Sequence, residues 1–464
     1  MVNNKLSMEL KAINKIYFIG IGGIGISAAA GILKQMGKEV GGSDMARNEV
    51  TEQLEQEGIK VFIPQQEKNI SSEIDLVVYS VAVPEDNPER QKARELGLTE
   101  LSYPQLLGEM TKNKHGIGVS GTNGKTTVTA MLGKIFLETG LDPTVVVGSK
   151  VDYLKGNSRL GRSKYFIFES DEYRRAFANY RPQTAVVTYI AADHLDCYRD
   201  LAEIKAAFGD YLDRVAADGL VVLNSDDKNS LEAVQNIRAR KVYFGIEVAA
   251  DYLAKEIRVE NGEQKFLVEE KGGSTEKMKI KLPGKFNVYN ALAAIATARS
   301  EGVGWPVIKK VLAEFNGAWR RFQKTGILEG ADIIADYAHT PDAVSKTILA
   351  AKEFYPNKKI LAVFQPHQYN RTKKFFEEFA QSFAAADLAI ISDIFFVRGR
   401  ENPDDFDVSS RKLAAAIKDN GVNAIWGGGL KQTENLIRQT VKDFEVILIL
   451  GAGDIYEAAK NLVK

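Results

Sequence analysis

The sequence predicts an α/β protein of three domains, each built on a sheet with helices around it. Three observations support this prediction. Short apolar runs of strand length alternate with helix-period segments along most of the chain, and glycine-rich loops follow two of these runs, at 20–25 and 118–124. The length of 464 residues also exceeds what one hydrophobic core normally organises, which favours about three domains.

The composition is typical of a globular protein without a strongly charged partner. Lys and Arg total 61 and so do Asp and Glu, so no global charge attracts nucleic acid or an anionic membrane. The single cysteine, Cys197, excludes an internal disulfide or a multi-thiolate metal site. No apolar run reaches the length of a membrane span. We therefore expect a cytoplasmic protein, monomeric or weakly dimeric, without nucleic-acid or membrane partners.

The first domain is predicted to bind a nucleotide diphosphate. A buried strand at 16–19 leads into the run GIGGIG at 20–25, a helix follows from about 26 to 36, and Asp44 closes the next strand. This is a Rossmann-type fingerprint, in which glycines allow close approach to phosphate and the acid takes ribose hydroxyls. NAD and a UDP-sugar share the diphosphate, so the fingerprint alone leaves both ligands open.

The central domain begins with a phosphate-binding loop. The run GVSGTNGKTT at 118–127 follows an apolar strand and enters a helix with apolar spacing. Such a loop presents N–H groups and a helix N-terminus to a triphosphate, with Lys125 reaching the outer phosphates and the Thr126 hydroxyl holding Mg²⁺. Val119 stands where the general P-loop pattern has glycine, so the glycine spacing is shortened. The predicted ligand is a nucleoside triphosphate.

Two later strands of this domain deliver polar side chains at their carboxyl ends. The apolar run at 165–168 is followed by Glu169, and the run at 184–190 is followed by Asp193 and His194. Ligands bind at this edge of open α/β sheets. We therefore predict that Thr126, Glu169 and His194 surround Mg²⁺, although imidazole is a softer ligand than this ion usually takes.

The rest of the central domain supplies a β-region and a pair of asparagines. Alternating residues between about 243 and 282, with turn signals at 261–262 and 272–273, predict a small antiparallel β-region. Asn287 and Asn290 fall on one helical face, where amides match the hydrogen-bonding edge of adenine. Simple N-capping by either asparagine is the alternative.

The third domain repeats the alternation of strands and helices, which predicts another doubly wound parallel sheet. Asp336 and His339 follow one predicted strand, and His367 and Arg371 follow the next. Three of the four histidines in the chain thus lie at strand ends beside other polar groups, a placement that favours function over core packing.

Taken in order, these motifs resemble the Mur ligase family over nearly the whole chain. The matching segments are GTNGKTT at 121–127, ESDEYRR at 169–175, ADHLD at 192–196, PGKFNVYN at 283–290, FNGAWRRFQ at 315–323 and FQPHQYNRT at 364–372. The resemblance implies an ATP-dependent ligase that joins L-alanine to the carboxylate of UDP-N-acetylmuramic acid through an acyl phosphate, with ATP and Mg²⁺ as cofactors. The first domain would then hold the UDP-sugar.

The resemblance also implies domain roles and site residues. The domains are 1–109 for the UDP-sugar, 110–323 for ATP and 324–464 for the amino acid; the outer two are Rossmann-like and the central one is a P-loop ATPase-type mixed sheet. The catalytic set is Lys125, Glu169, His194, Arg321, His339, His367 and Arg371, and the metal ligands are Thr126, Glu169 and His194. The ATP set is Gly121, Thr122, Asn123, Gly124, Lys125, Thr126, Thr127, Asn287, Asn290, Arg321 and Asp336, and the UDP-sugar set is Gly22, Gly23, Gly25, Asp44 and Ser80.

Three positions depart from the family's usual pattern for alanine addition. Asn123 and Thr340 stand where histidines are usual, and Gln368 replaces a frequent arginine. Gly209 occupies the expected place of the carbamylated lysine of sibling ligases, so none is expected here. One alternative is a murein-recycling ligase, which joins a ready-made tripeptide to the same nucleotide. More distant alternatives are an NAD-dependent oxidoreductase and a non-catalytic nucleotide-binding protein.

Overall fold

The computed structural model describes residues 10, 12–194, 197–234, 237–397 and 401–463. Its strands form three sheets, built from residues 15–102, 115–280 and 323–450. Across the described ranges, no helix combines the length and the apolar character needed to cross a bilayer. The predicted boundaries after residues 109 and 323 stay predictions, although the first strand of the third sheet already begins at Gln323.

The N-terminal sheet has five parallel strands flanked by helices. The strands are β1 Lys15–Ile19, β2 Glu39–Ser43, β3 Lys60–Phe62, β4 Leu76–Tyr79 and β5 Thr99–Ser102, and the helices are α1 Ile24–Gln35, α2 Glu49–Gln56, α3 Pro88–Glu95 and α4 Tyr103–Thr111. The strand order β3-β2-β1-β4-β5 confirms the Rossmann-like prediction. Because β1 lies in the middle with both faces covered, its sequence is almost entirely apolar.

The central sheet is mixed, as predicted. Its strands are β6 His115–Ser120, β7 Thr144–Val151, β8 Gly156–Arg159, β9 Tyr165–Glu169, β10 Thr184–Val187, β11 Leu220–Asn224, β12 Arg240–Gly245, β13 Tyr252–Glu260, β14 Glu263–Glu270 and β15 Thr275–Ile280. The order is β15-β14-β13-β12-β11-β10-β6-β9-β7-β8. Both turn signals lie between strands, and the hairpins they form extend this sheet.

The helices of the central region include the two that carry predicted ATP residues. They are α5 Lys125–Glu138, α6 Leu201–Leu212, α7 Lys228–Ala233, α8 Lys285–Ser300 and α9 Trp305–Glu314. Helix α8 begins directly after Gly284. Asn287 and Asn290 therefore lie inside the helix, and the N-capping alternative is wrong for both.

The third sheet is parallel except for one edge strand. The strands are β16 Gln323–Leu328, β17 Ala331–Asp336, β18 Ile360–Phe364, β19 Leu388–Ser392, β20 Ala424–Gly428 and β21 Val446–Leu450, and the helices are α10 Pro341–Phe354, α11 Tyr369–Lys374, α12 Phe376–Gln381, α13 Ser410–Asp419, α14 Leu430–Thr440 and α15 Ile455–Leu462. The order is β16-β17-β21-β18-β19-β20. Strand β16 pairs antiparallel with β17, and the sequence did not predict this pairing. The two strands are joined by a turn at Glu329 and Gly330, and both residues have positive φ.

The first two sheets share a hydrophobic core. Ala28 and Ile32 of α1 and Leu107 of α4 belong to the same buried cluster as Phe166 and Phe177 of the central region. Helix α4 approaches so closely that a Cβ added at Gly108 would lie 2.5 Å from the carbonyl oxygen of Asn179. Packing therefore fixes the N-terminal glycine-rich loop relative to the phosphate loop.

We predict that Gly108→Ala weakens this shared core. The added methyl group overlaps a backbone carbonyl, and overpacking of this kind costs about 1–3 kcal/mol. Gly31→Ala is the matched control, because Gly31 also lies within a helix but its added Cβ would meet its nearest neighbour, Ser158 Oγ, at an ordinary 3.6 Å. Urea unfolding followed by circular dichroism should show an earlier transition for Gly108→Ala alone. Equal transitions for both variants would contradict the close packing.

Candidate active site

The phosphate loop requires glycine at two positions. Gly121 and Gly124 have φ values of +126° and +93°, in the region that L side chains rarely adopt. A Cβ at Gly121 would collide with Thr188 Oγ1, and one at Gly124 would collide with Asn290 Oδ1. The backbone thus turns between β6 and α5 with Asn290 packed against it, which brings one predicted adenine-contacting residue to the loop.

Lys125 is held by a buried carboxylate. Its Nζ donates to both carboxylate oxygens of Glu172, at 2.9 and 2.8 Å, and to the carbonyl of Gly121 at 2.8 Å. Glu172 is only 3% exposed. Burial raises the pKa of Glu172 to about 7 against the opposing effect of Lys125. Burial lowers the pKa of Lys125, but the carboxylates of Glu172 and Asp171 reverse this and raise it overall.

The predicted metal ligands fall into two adjoining groups. Thr126 Oγ1 donates to Glu169 Oε2 at 3.3 Å, so these two residues lie side by side, and their role as metal ligands stays a prediction. His194 instead faces Glu172, with 3.7 Å between Nε2 and Oε1. Asp171, Glu172 and His194 each offer a ligand atom within 4.8 Å of the others. The oxygens of Thr126 and Glu169 fit Mg²⁺ by chemistry. Asp171 and Glu172 were not among the predicted metal ligands, although both lie in the segment ESDEYRR.

The remaining loop residues bind the phosphate loop to the segment after β10. The Thr122 hydroxyl accepts from the Ala191 N–H at 2.9 Å, and the Asn123 amide donates to the Tyr189 hydroxyl at 2.6 Å. Thr127 is buried within α5. Asn123, one of the departures from the family pattern, therefore has a structural partner in Tyr189, which sequence reasoning did not identify.

The N-terminal glycine-rich loop is held by the end of β2. The Gly20 and Ile21 N–H groups donate to the Ser43 carbonyl at 2.9 Å, and the Gly22 N–H donates to Asp44 Oδ2 at 2.8 Å. Helix α1 starts at Ile24, directly after Gly23. The residues predicted to bind the UDP-sugar thus lie at one sheet edge. Ser80 is also close to this loop, since a Cβ added at Gly20 would lie 3.1 Å from the Ser80 Cβ.

A buried carboxyl group is linked to the N-terminal glycine-rich loop through Ser43. Glu89 has no exposed surface and accepts hydrogen bonds from Tyr17 Oη at 3.1 Å, Asn69 Nδ2 at 2.7 Å and the Ser43 hydroxyl. Burial raises the pKa of Glu89. Because Ser43 in turn accepts from two loop amides, Glu89 helps to set the loop's position. No sequence motif indicates this role, because Glu89 appears only as an acid in the first turn of a helix.

Close to the predicted boundary after residue 323, the adjacent arginines of the RRF segment have different surroundings. Arg320 is 7% exposed and donates to the carbonyls of Gly451 and Gly453, so its role is structural. Arg321 lies over the Tyr337 ring at 5.1 Å. Asp336 accepts from the N–H groups of Ala338 at 2.8 Å and Phe322 at 2.7 Å, and burial raises its pKa against the effect of Arg321. Both carboxylate oxygens of Asp336 thus bind backbone, and its contact with ATP stays a prediction.

The other predicted residues of this domain form one cluster. The rings of His339 and His367 have centroids 6.2 Å apart, and His367 stacks on Phe395 at 5.4 Å. Arg371 Nη1 lies 3.2 Å from His367 Nδ1, and His339 Nδ1 lies 2.9 Å from the Tyr337 carbonyl oxygen. The fold therefore brings together two imidazoles and a guanidinium, a set suited to binding carboxylates.

Comparison with known proteins identifies relatives along the full length. Family models described as "Mur ligase family, catalytic domain", "Mur ligase middle domain" and "Mur ligase, glutamate ligase domain" match residues 15–115, 119–298 and 320–453. The chain is 38% identical over 461 residues to a UDP-N-acetylmuramate--L-alanine ligase of Caldanaerobacter subterraneus, covering 99% of each chain. A ligase of the same name from Clostridium novyi is 37% identical, with 97% of each chain covered.

Solved structures agree with these matches. The UDP-N-acetylmuramate-alanine ligase of Thermotoga maritima superposes with a TM-score of 0.84 at 31% identity, covering 97% of this chain and 98% of that one. A murein peptide ligase of Psychrobacter arcticus gives a TM-score of 0.71 at 24% identity, covering 97% of this chain and 100% of that one. The second likeness concerns the fold alone.

We predict that Glu172 makes stability depend on pH between about 4.5 and 7. With its pKa raised to about 7, the folded protein holds a proton in this window that the unfolded chain has released. Its stabilising contribution is therefore complete below about pH 4.5 and is lost as pH rises through 7. Relative to Glu172→Gln, the wild-type unfolding free energy should fall by up to about 3 kcal/mol across the window. Urea titrations of both proteins would test this, and parallel pH profiles would refute it.

Proposed function

This chain belongs to the Mur ligase family, and we propose that it joins L-alanine to the carboxylate of UDP-N-acetylmuramic acid with ATP as energy source. The observation that carries the proposal is full-length similarity to ligases of that name. In the proposed reaction, the carboxylate of the sugar attacks the γ-phosphate and forms an acyl phosphate and ADP. The amine of alanine then displaces phosphate and forms the amide.

The central region would handle the phosphate chemistry. The N–H groups of the loop at 121–127 and the Lys125 ammonium would bind the triphosphate, and Arg321 would offset charge on the transferring phosphoryl group. Thr126, Glu169 and His194 would hold Mg²⁺, which when bound would neutralise phosphate oxygens. No protein nucleophile is needed, because the reacting carboxylate belongs to the substrate.

The third-domain cluster would bind the groups that react with the phosphorylated sugar. The guanidinium of Arg371 offers paired donors for a carboxylate. His367, held against Arg371, and His339 would orient the incoming amino acid. Asp336 would then act mainly by fixing the backbone around Arg321, through the two N–H groups that it accepts from.

Two alternatives are less well supported. An oxidoreductase would leave the phosphate loop and the Lys125 contacts without a role. A tripeptide-recycling ligase would use the same nucleotide. Because Thr340 and Gln368 depart from the pattern for alanine addition, the acceptor assay below also tests the tripeptide. We also propose that the enzyme acts in the cytoplasm as a monomer or a weak homodimer, which sedimentation analysis of the purified protein would test.

The acceptor assay tests the proposed reaction. Phosphate release from Mg-ATP should require UDP-N-acetylmuramic acid together with L-alanine, and should be slower with glycine or L-serine. The L-Ala-D-Glu-diaminopimelate tripeptide serves as the competing acceptor. Release with the tripeptide alone would refute alanine addition and favour recycling, and reduction of NAD with any candidate substrate would refute the ligase.

We predict that Lys125→Met lowers kcat/KM by about 10²–10³-fold, because a fixed charge at the transferring phosphate is lost. The substitution also leaves Glu172 buried without its partner, so some destabilisation is expected. The double variant Lys125→Met/Glu172→Gln removes that unpaired carboxylate. It should recover thermal stability but not activity, which separates the two effects. Recovery of activity in the double variant would contradict the role of Lys125.

A further inference from the structure

Two consecutive arginines follow the acidic strand end of the central sheet in a backbone conformation that is unusual for arginine. Arg174 and Arg175 have φ values of +48° and +54°, in the left-handed region that residues other than glycine seldom occupy. The turn is held by a hydrogen bond from the Arg175 N–H to the Glu172 carbonyl at 2.9 Å and by the buried ring of Phe177. Strained residues of this kind cluster at active sites and ligand clamps.

The two arginines differ in their partners. The guanidinium of Arg175 forms ion pairs with Glu203 at 3.3 Å and with Asp210 at 3.4 Å. Arg174 is exposed, and among the described residues its guanidinium has no carboxylate partner; its Nη1 donates instead to the Val81 carbonyl at 3.0 Å. A carbonyl oxygen uses one donor of the guanidinium without neutralising its charge. Arg174 therefore keeps its positive charge and further donors for an anion.

Arg174 lies near two groups of predicted site residues. Val81, whose carbonyl it contacts, directly follows Ser80 at the end of β4. The Arg174 guanidinium also lies 5.6 Å from the centre of the Tyr173 ring, and the centre of that ring lies 5.0 Å from the centre of the His194 ring. The guanidinium is therefore close both to a residue predicted to bind the UDP-sugar and to one predicted to bind Mg²⁺.

The residues predicted to bind the UDP-sugar include no cation. They are three glycines, Ser80 and Asp44, whereas the proposed substrate carries a diphosphate and a carboxylate. Phosphate and carboxylate oxygens are favourable partners for a guanidinium, whose paired N–H groups match two oxygens at once. The contact with Val81 places such a group beside Ser80, where a counter-charge for the ligand is needed.

We propose that Arg174 binds an anionic oxygen of the sugar nucleotide, an assignment that rests on the proposed function. The left-handed backbone and the hydrogen bond to Val81 hold the guanidinium in place before the ligand binds, so less side-chain freedom is lost on binding. Arg174 is thus a substrate-binding residue. The oxygen belongs to the diphosphate or to the reacting carboxylate, and a comparison of two sugar nucleotides distinguishes these sources.

Calorimetric titrations of the full-length protein with UDP-N-acetylmuramic acid and UDP-N-acetylglucosamine test the assignment. Both ligands carry the diphosphate, but only the first carries the carboxylate. Arg174→Gln should raise the Kd of UDP-N-acetylmuramic acid by about tenfold or more, because a charged hydrogen-bond donor is lost. A similar rise for UDP-N-acetylglucosamine would assign the contact to the diphosphate, and an unchanged Kd for that ligand would assign it to the carboxylate.

Arg175→Gln is the matched control. It removes the same charge from the neighbouring residue, which has the same backbone conformation, but Glu203 and Asp210 already neutralise that charge. Both Kd values should therefore match those of the wild type. Salt separates a charge contact from the mere loss of the hydrogen bond to Val81. The ratio of Kd values between Arg174→Gln and the wild type should shrink at about 0.5 M salt, because screening weakens an exposed charge contact.

Three results would overturn the assignment and leave the proposed function intact. They are an unchanged affinity of Arg174→Gln for UDP-N-acetylmuramic acid, equal losses of affinity in both variants, and a ratio of Kd values that salt leaves unchanged. Failure of the wild type to bind UDP-N-acetylmuramic acid would instead overturn the proposed function, and the assignment with it.

Discussion

The ion pair between Lys125 and Glu172 is the contact on which the phosphate site depends. It joins the loop after β6 to the acidic strand end after β9, and it keeps a buried carboxylate and a partly buried ammonium each satisfied. If a triphosphate binds the Lys125 ammonium, the buried Glu172 carboxylate loses its partner. Another group must then neutralise the charge of Glu172. A pKa near 7 allows Glu172 to take up a proton at neutral pH, and its position beside His194 and Asp171 allows a cation to serve instead.

A second constraint is the shared core of the first two sheets. Helices α1 and α4 contribute buried side chains to the cluster of the central sheet, and Gly108 and Gly25 permit backbone or ring contacts that a side chain would block. The N-terminal glycine-rich loop and the phosphate loop are therefore positioned by ordinary close packing. Within the second unit, the His339, His367 and Arg371 cluster is held by its own strand ends and by stacking on Phe395.

Sequence reasoning succeeded where the signal is local and failed where the partner is distant. Glycine loops, strand-end polar residues and alternating elements predicted the three sheets correctly. They also named most residues of the candidate site, whose roles stay predictions. Strand β16 was missed because QKTGIL lacks a clear period and relies on its turn with β17. The role of Glu89 depends on Ser43, 46 residues away, and the position of Tyr103 depends on packing against Gly25 and two cores. No periodicity or motif reports such contacts.

The central claim is that the chain activates the sugar carboxylate by phosphorylation before the amino acid reacts. Positional isotope exchange tests it most directly, with a heavy oxygen label in the β–γ bridge of ATP. Reversible transfer of the γ-phosphoryl group frees the label to rotate into a non-bridging β-position before ATP re-forms. Exchange should require UDP-N-acetylmuramic acid, proceed without L-alanine and be absent with UDP-N-acetylglucosamine. Exchange that depends on L-alanine, or amide formation without any exchange, would contradict the claim.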